Sequence, residues 1–186
     1  MASLGPALAI TLRHEGGWSN DPNDAGGETI WGLDKATDSQ WPGWAAVDQA
    51  RANGMPTADL ASNLWPQLQA SMTAWYAANY WNPIQGSQIQ NQALANVLFD
   101  CDVVCGVGAA GKLIQAAIND LGQSPPLTVD GQIGPATLAA INAVPMGEAV
   151  IQFVNRWVLH CCAIVVANPS QSEFLVGWVR RALGMN

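Results

Sequence analysis

With 186 residues and 49% hydrophobic side chains, the chain is long enough to bury a proper core and leaves little for disordered tails. A net charge of −7 and only seven Lys plus Arg argue against nucleic-acid binding, which rests on neutralising phosphates, and against charge-driven adhesion to an anionic wall or membrane. Any polymer it binds is expected to be gripped by hydrogen bonds and stacking.

In chain order, residues 5–15 read as a short helix: Pro6 suits its first turn, Leu8 and Leu12 share a face, and Gly16-Gly17 can end it. Glu15 therefore falls at a helix C-terminus, where the negative end of the helix dipole disfavours a carboxylate and suits a proton donor. Between Trp18 and Trp31, Asp-Pro and Ala-Gly-Gly mark turns, with a small β-hairpin expected near Thr29-Ile30-Trp31. Residues 33–56 look irregular or briefly helical. A longer helical region is expected from Thr57 to Tyr80, bent or restarted at Pro66.

Ser87 and Gln90 resemble a capping box opening a helix with Ile89, Leu94, Val97, Leu98 and Cys101 inward, ended or interrupted between Gly106 and Gly111. A further helix follows to Leu121, then the loop QSPPLTVDGQIG, then a short helix from Pro135 to Asn142. Two helices, Gly147 to Ala167 and Ser172 to Leu183, are expected to close the chain. The expected fold is mainly α, with one small β element and no internal repeat.

The four cysteines form no C-x2-C pair, so a structural zinc site is not expected, and they read as reduced core thiols. The N-terminus lacks a basic region and a sufficient apolar run, so cytoplasmic synthesis without a signal peptide is expected. The longest apolar stretch, residues 157–167, is about half of the roughly 20 residues a bilayer requires, and no stable membrane insertion is expected.

Residues 15–32, EGGWSNDPNDAGGETIWG, gather Glu15, Asp21, Asp24 and Glu28 among five glycines and two tryptophans. In a chain with 11% charged residues, such clustering is a poor solubility device and a good active-site loop. Cleaving a glycosidic bond takes one carboxylic acid to protonate the leaving oxygen and a second group to hold water or the developing positive charge. Glu15 is the natural acid, although an ion pair with Arg13 would also account for it. Asp24 is the favoured second carboxylate, with Thr29 as a water-positioning hydroxyl, whereas Glu28 is a weaker candidate. Asp21 and Asp24 could equally close Asx turns on neighbouring amides. Calcium is a competing use of such acids, but the EF-hand spacing is absent, so no metal or cofactor is expected. His14 would not face the same site as Glu15, because successive helical side chains diverge by about 100°.

The segment HEGGWSNDPNDAGGETIWG resembles the signature of glycoside hydrolase family 108, the N-acetylmuramidases of phage endolysins and secretion-activator proteins. The likeness continues through Trp75-Tyr76, Tyr80-Trp81-Asn82-Pro83, Leu98-Phe99-Asp100, DGQIGPATLAAI at 130–141, and Arg156 with GWVRR at 177–181. It implies a lysozyme-like helical fold and cleavage of the β-1,4 bond between N-acetylmuramic acid and N-acetylglucosamine, with Glu15 as catalytic acid. The E-x8-D-x4-T spacing is similar to the triad of small phage lysozymes, which supports Asp24 and Thr29 as water-holders and implies inversion at a carboxylate separation of roughly 6.5 to 9.5 Å. Trp18, Trp31, Gly32, Trp81, Asn82 and Asp100 are expected near substrate. Trp65, Trp75, Trp157 and Trp178 are expected in the core.

The resemblance further implies a catalytic segment over residues 1–95 and a helical, predicted peptidoglycan-binding segment over 96–186 packed on it. The expected partner is the glycan strand of bacterial peptidoglycan, met in the periplasm or cell wall by a monomer after holin-dependent release. The chain departs from the family pattern at Cys105, where an asparagine is usual, and around His160, where an aromatic is usual. A lytic transglycosylase and a catalytically silent wall-binding or virion module are the alternative readings.

Overall fold

A computed structural model of the chain describes residues 1–20 and 27–185, and of residue 146 only the backbone. Eight α-helices and one three-stranded antiparallel sheet are present among the described residues, and the fold is mainly α and lysozyme-like. The chain divides into two compact units, one formed by Thr11–Ala78 and the other by Met1–Ile10 with Asn79–Asn186.

The Thr11–Ala78 unit begins in the last turns of helix α1 (Leu4–His14) and continues into strands β1 (Trp18–Asn20), β2 (Glu28–Ile30) and β3 (Leu33–Asp34), ordered β1-β2-β3. The expected hairpin is thus a three-stranded meander in which Trp18 pairs with Ile30 and Ile30 with Leu33. Only Trp31 and Gly32 separate β2 from β3, and their φ angles of 51° and 80° have the signs of a type I′ turn, whose backbone twist matches that of the flanking strands.

Helix α2 (Trp44–Ala52) is the brief helix in the segment expected to be irregular or briefly helical, and it buries Trp44, Val47 and Ala50. Helix α3 (Thr57–Tyr76) buries Leu60, Leu64, Leu68, Met72 and Tyr76, a four-residue repeat that keeps one stripe inward. It runs through Pro66 without a restart. Pro66 is exposed, so the carbonyl of Ser62, which loses its amide donor there, lies on the solvent side. A π-helical turn, Ala77–Trp81, carries the helix onward.

In the other unit, helix α4 (Gln92–Cys105) is capped by Asn91, whose side-chain oxygen accepts from the amides of Ala93 at 2.9 Å and Leu94 at 3.3 Å. The expected capping box at Ser87 is therefore incorrect. Ser87 lies in a short 3-10 turn, Gly86–Gln88, and its hydroxyl accepts the Trp81 indole N–H at 2.8 Å. Gly106, at φ 83°, separates α4 from α5 (Val107–Asp120).

Gln115 on α5 is buried and holds the 130–132 turn: its amide oxygen accepts from Gly131 at 2.8 Å, while its NH2 donates to Asp130 at 2.8 Å and to the Gln132 carbonyl at 3.0 Å. Helices α6 (Pro135–Ala143), α7 (Met146–Ala167) and α8 (Leu175–Ala182) complete the unit. A 3-10 segment, Pro169–Phe174, takes up the residues expected to open α8. Helix α7 packs on α4, α5 and α8, with Phe153 and Trp157 buried. Gly147–Ala167 is nonetheless long and apolar enough by length and composition to cross a bilayer, which the shorter run counted in the sequence did not register.

Candidate active site

Glu15 is the first residue past α1. Its amide still donates to the Thr11 carbonyl at 3.2 Å, so the helix's last turn sets the start of its side chain, which is half-buried. Across from it lies the Trp31-Gly32 turn. A Cβ on Gly32 would stand 2.7 Å from Cγ of Glu15 and 2.8 Å from both Cδ and Oε2, closer than such atoms can approach. Glycine is required here twice over, for its positive φ and for the room it leaves the glutamate.

The turn is held from three directions. The Trp31 amide donates to the Gly17 carbonyl at 3.1 Å, and its carbonyl accepts the Tyr76 hydroxyl at 2.9 Å. Its indole is buried, meeting Trp41 and Trp65 edge to face with ring centroids 6.2 Å and 5.2 Å apart.

Glu28, the second described acid of the HEGGWSNDPNDAGGETIWG segment after Glu15, serves a different end. One oxygen accepts Trp18 Nε1 at 2.8 Å and Arg51 at 3.0 Å, and the other accepts Lys35 Nζ at 2.9 Å. Burial pushes this carboxyl's pKa up, but the Lys35 and Trp18 hydrogen bonds and the charges of Lys35 and Arg51 outweigh it and hold the group below its ordinary value. It is a fixed anion, suited to tying β2 to Lys35, just past β3, and to Arg51 on α2. Lys35 also bonds Asp48, and the Arg51 guanidinium lies 5.2 Å over the Trp18 ring. The sequence makes Glu28 a weaker catalytic candidate but does not show this clamp, whose cations lie 7 and 23 residues further on.

A second hub went unnoticed in the sequence. Asp38 is buried; its Oδ1 accepts Trp75 Nε1 at 3.0 Å, its Oδ2 accepts the Asp34 amide at 3.1 Å, and its carbonyl accepts Trp44 Nε1 at 2.9 Å. The i, i+4 spacing of Asp34 and Asp38 was the available signal.

Thr29 is central in β2 and half-buried, on the sheet face opposite Glu28 and Ile30. Asp21 and Asp24 lie outside the described residues. Trp18 is half-buried. Trp81, Asn82 and Asp100 belong to the other unit: Trp81 is buried edge to face against Phe99, Asn82 is exposed, and Asp100 accepts a two-pronged bond from Arg181 at 2.8 Å and 3.0 Å. Among the described residues, no three His, Cys, Asp or Glu side chains gather as a metal site.

Comparison with known proteins assigns both halves of the chain. Residues 8–106, more than half of its length, match the sequence profile described as Glycosyl hydrolase 108, and residues 109–183 match the one described as Predicted Peptidoglycan domain. Among solved structures, SagA of Brucella abortus is similar in fold, with a TM-score of 0.66 at 23% identity over 95% of this chain and 87% of that one. A search among curated proteins finds no match. The chain belongs to glycoside hydrolase family 108, and it is a glycoside hydrolase of the peptidoglycan-cleaving kind.

Proposed function

We propose that the chain is an N-acetylmuramidase that cuts the β-1,4 bond between N-acetylmuramic acid and N-acetylglucosamine, with Glu15 as general acid. The observation that carries this reading is the seating of Glu15 at the end of α1 over Gly32, where the absent side chain leaves its carboxyl room at the turn's backbone. Glu28 cannot compete for the role, because Lys35 and Arg51 hold it as an anion with no proton to give.

Glu15 donates its proton to the glycosidic oxygen as the C–O bond breaks. Asp24 and Thr29 hold a water on the opposite face of the sugar, and the water's attack inverts the anomeric carbon. Trp18, with Trp31 and Gly32 as the rigid turn behind it, lines the site. Helical residues 96–186 assist in retaining the wall polymer. The enzyme acts in the manner of an endolysin, made in the cytoplasm and delivered to the wall.

Product analysis on purified peptidoglycan tests the reaction. Mass spectrometry is expected to find muropeptides ending in reducing muramic acid, and NMR of early product the inverted anomer. Anhydromuramic products would mean transglycosylation by a single acid, and a reducing N-acetylglucosamine end would mean cleavage of the other glycosidic bond.

A further inference from the structure

We propose that Tyr76 is a positioning residue for Glu15, its hydroxyl locking the left-handed Trp31-Gly32 turn against which the glutamate side chain rests. The proposal builds on the assignment of Glu15 as the acid.

Trp31 is an improbable occupant of its own conformation. At φ 51° a bulky side chain is a backbone outlier, and the first central position of a type I′ turn ordinarily goes to Asn, Asp or Gly. Such a residue persists only where its surroundings over-determine it. The Gly17 carbonyl and the Trp41 and Trp65 rings supply part of that restraint, and Tyr76 supplies the rest. Tyr76 is the last residue of the 20-residue helix α3, and its ring is fully buried, so its hydroxyl is delivered from a rigid element 45 residues away. It donates to the very peptide group that links Trp31 to Gly32. Gly32 is in turn the floor beneath Cγ, Cδ and Oε2 of Glu15. A loosened turn would leave Glu15 present but let its carboxyl wander, and misplacement of about 1 Å can cost ~100-fold in rate.

Tyr76→Phe deletes the one oxygen and keeps the ring. On soluble glycan fragments it is expected to lower kcat by about 10- to 100-fold with KM nearly unchanged. Leu64→Ala serves as the stability control: it removes buried packing from the same helix while leaving the Tyr76 hydroxyl in place, and at temperatures well below its thermal midpoint it should keep the wild-type kcat. Insoluble peptidoglycan should pull down Glu15→Gln and the Glu15→Gln/Tyr76→Phe double variant equally. In the wild type, the Trp31 amide should exchange its hydrogen as slowly as the core of α3.

Wild-type kcat in Tyr76→Phe, alongside an inactive Glu15→Gln, would overturn the positioning role and leave the acid assignment standing. Fast exchange at Trp31 in the wild type, or an equal loss of kcat in Leu64→Ala, would also overturn it. Full activity in Glu15→Gln would bring down both.

Discussion

Gly32 lies so close beneath Glu15 that a single added methyl group would stand 2.7 Å from the glutamate Cγ. Gly32→Ala is therefore expected to push the carboxyl out of place while straining a backbone at φ 80°. Activity on purified peptidoglycan should drop about 100-fold. Circular dichroism should show the native helical content with a lower thermal midpoint.

Glu28 joins β2 to Lys35 and Arg51, and its removal should weaken the sheet end of the Thr11–Ala78 unit. We expect Glu28→Gln to cost about 2 kcal/mol in urea unfolding at neutral pH, with solvent screening at the half-exposed cations limiting the loss. The sign with pH follows from its depressed pKa. The stabilisation is fully present above the ordinary carboxylate value of 4.5 and disappears as the pH falls through the lower value of the folded state. The difference between wild type and Glu28→Gln should therefore narrow as the pH is taken below 4.5.

Asp102 behaves in the opposite sense. It is fully buried on α4, with neither carboxyl oxygen hydrogen-bonded among the described residues. Burial first, and then the neighbouring Cys105, pushes its pKa from 3.8 to about 8. The folded protein thus keeps a proton that the unfolded chain releases, and stability falls as the pH climbs from 3.8 to about 8. Asp102→Asn cannot ionise. Its thermal midpoint should exceed that of wild type by ~5 °C at pH 8 and converge on it near pH 4.

Arg181 on α8 grips Asp100 on α4 through two nearly parallel hydrogen bonds, and both side chains are largely buried. Arg181→Ala would leave a buried carboxylate without its fork, at a cost of ~3 kcal/mol. Arg181→Lys should recover only part of it, because a point-like ammonium cannot reproduce the planar two-pronged contact. Urea denaturation of the three proteins measures both.

Much of the helical framework was legible because it is local. The four-residue spacing of apolar side chains in α1, the proline opening α6 and the glycine between α4 and α5 each act within a turn or two. The start of α4 was misread for an equally local reason: Ser87 and Asn91 both offer a capping oxygen, and Trp81 engages the first. Helix α2 and strand β3 are short and carry little periodic signal of their own.

At the site, Glu15 could be singled out from its helix end and flanking glycines. The roles of Glu28 and Tyr76 could not, because their partners lie 23 and 45 residues away and meet only in the folded chain. Trp31 was expected near substrate for its indole face. The folded chain buries that indole and presents the residue's backbone turn to Glu15 through Gly32.

The most direct test of the central claim is the rate at which purified Glu15→Gln, folded and at wild-type concentration, releases soluble muropeptides from isolated peptidoglycan. The substitution keeps the side chain's size and removes its acidic proton. A fall of at least about 100-fold, with retained binding to the insoluble wall, is the predicted result. Release at the wild-type rate would contradict the assignment of Glu15 as the proton donor.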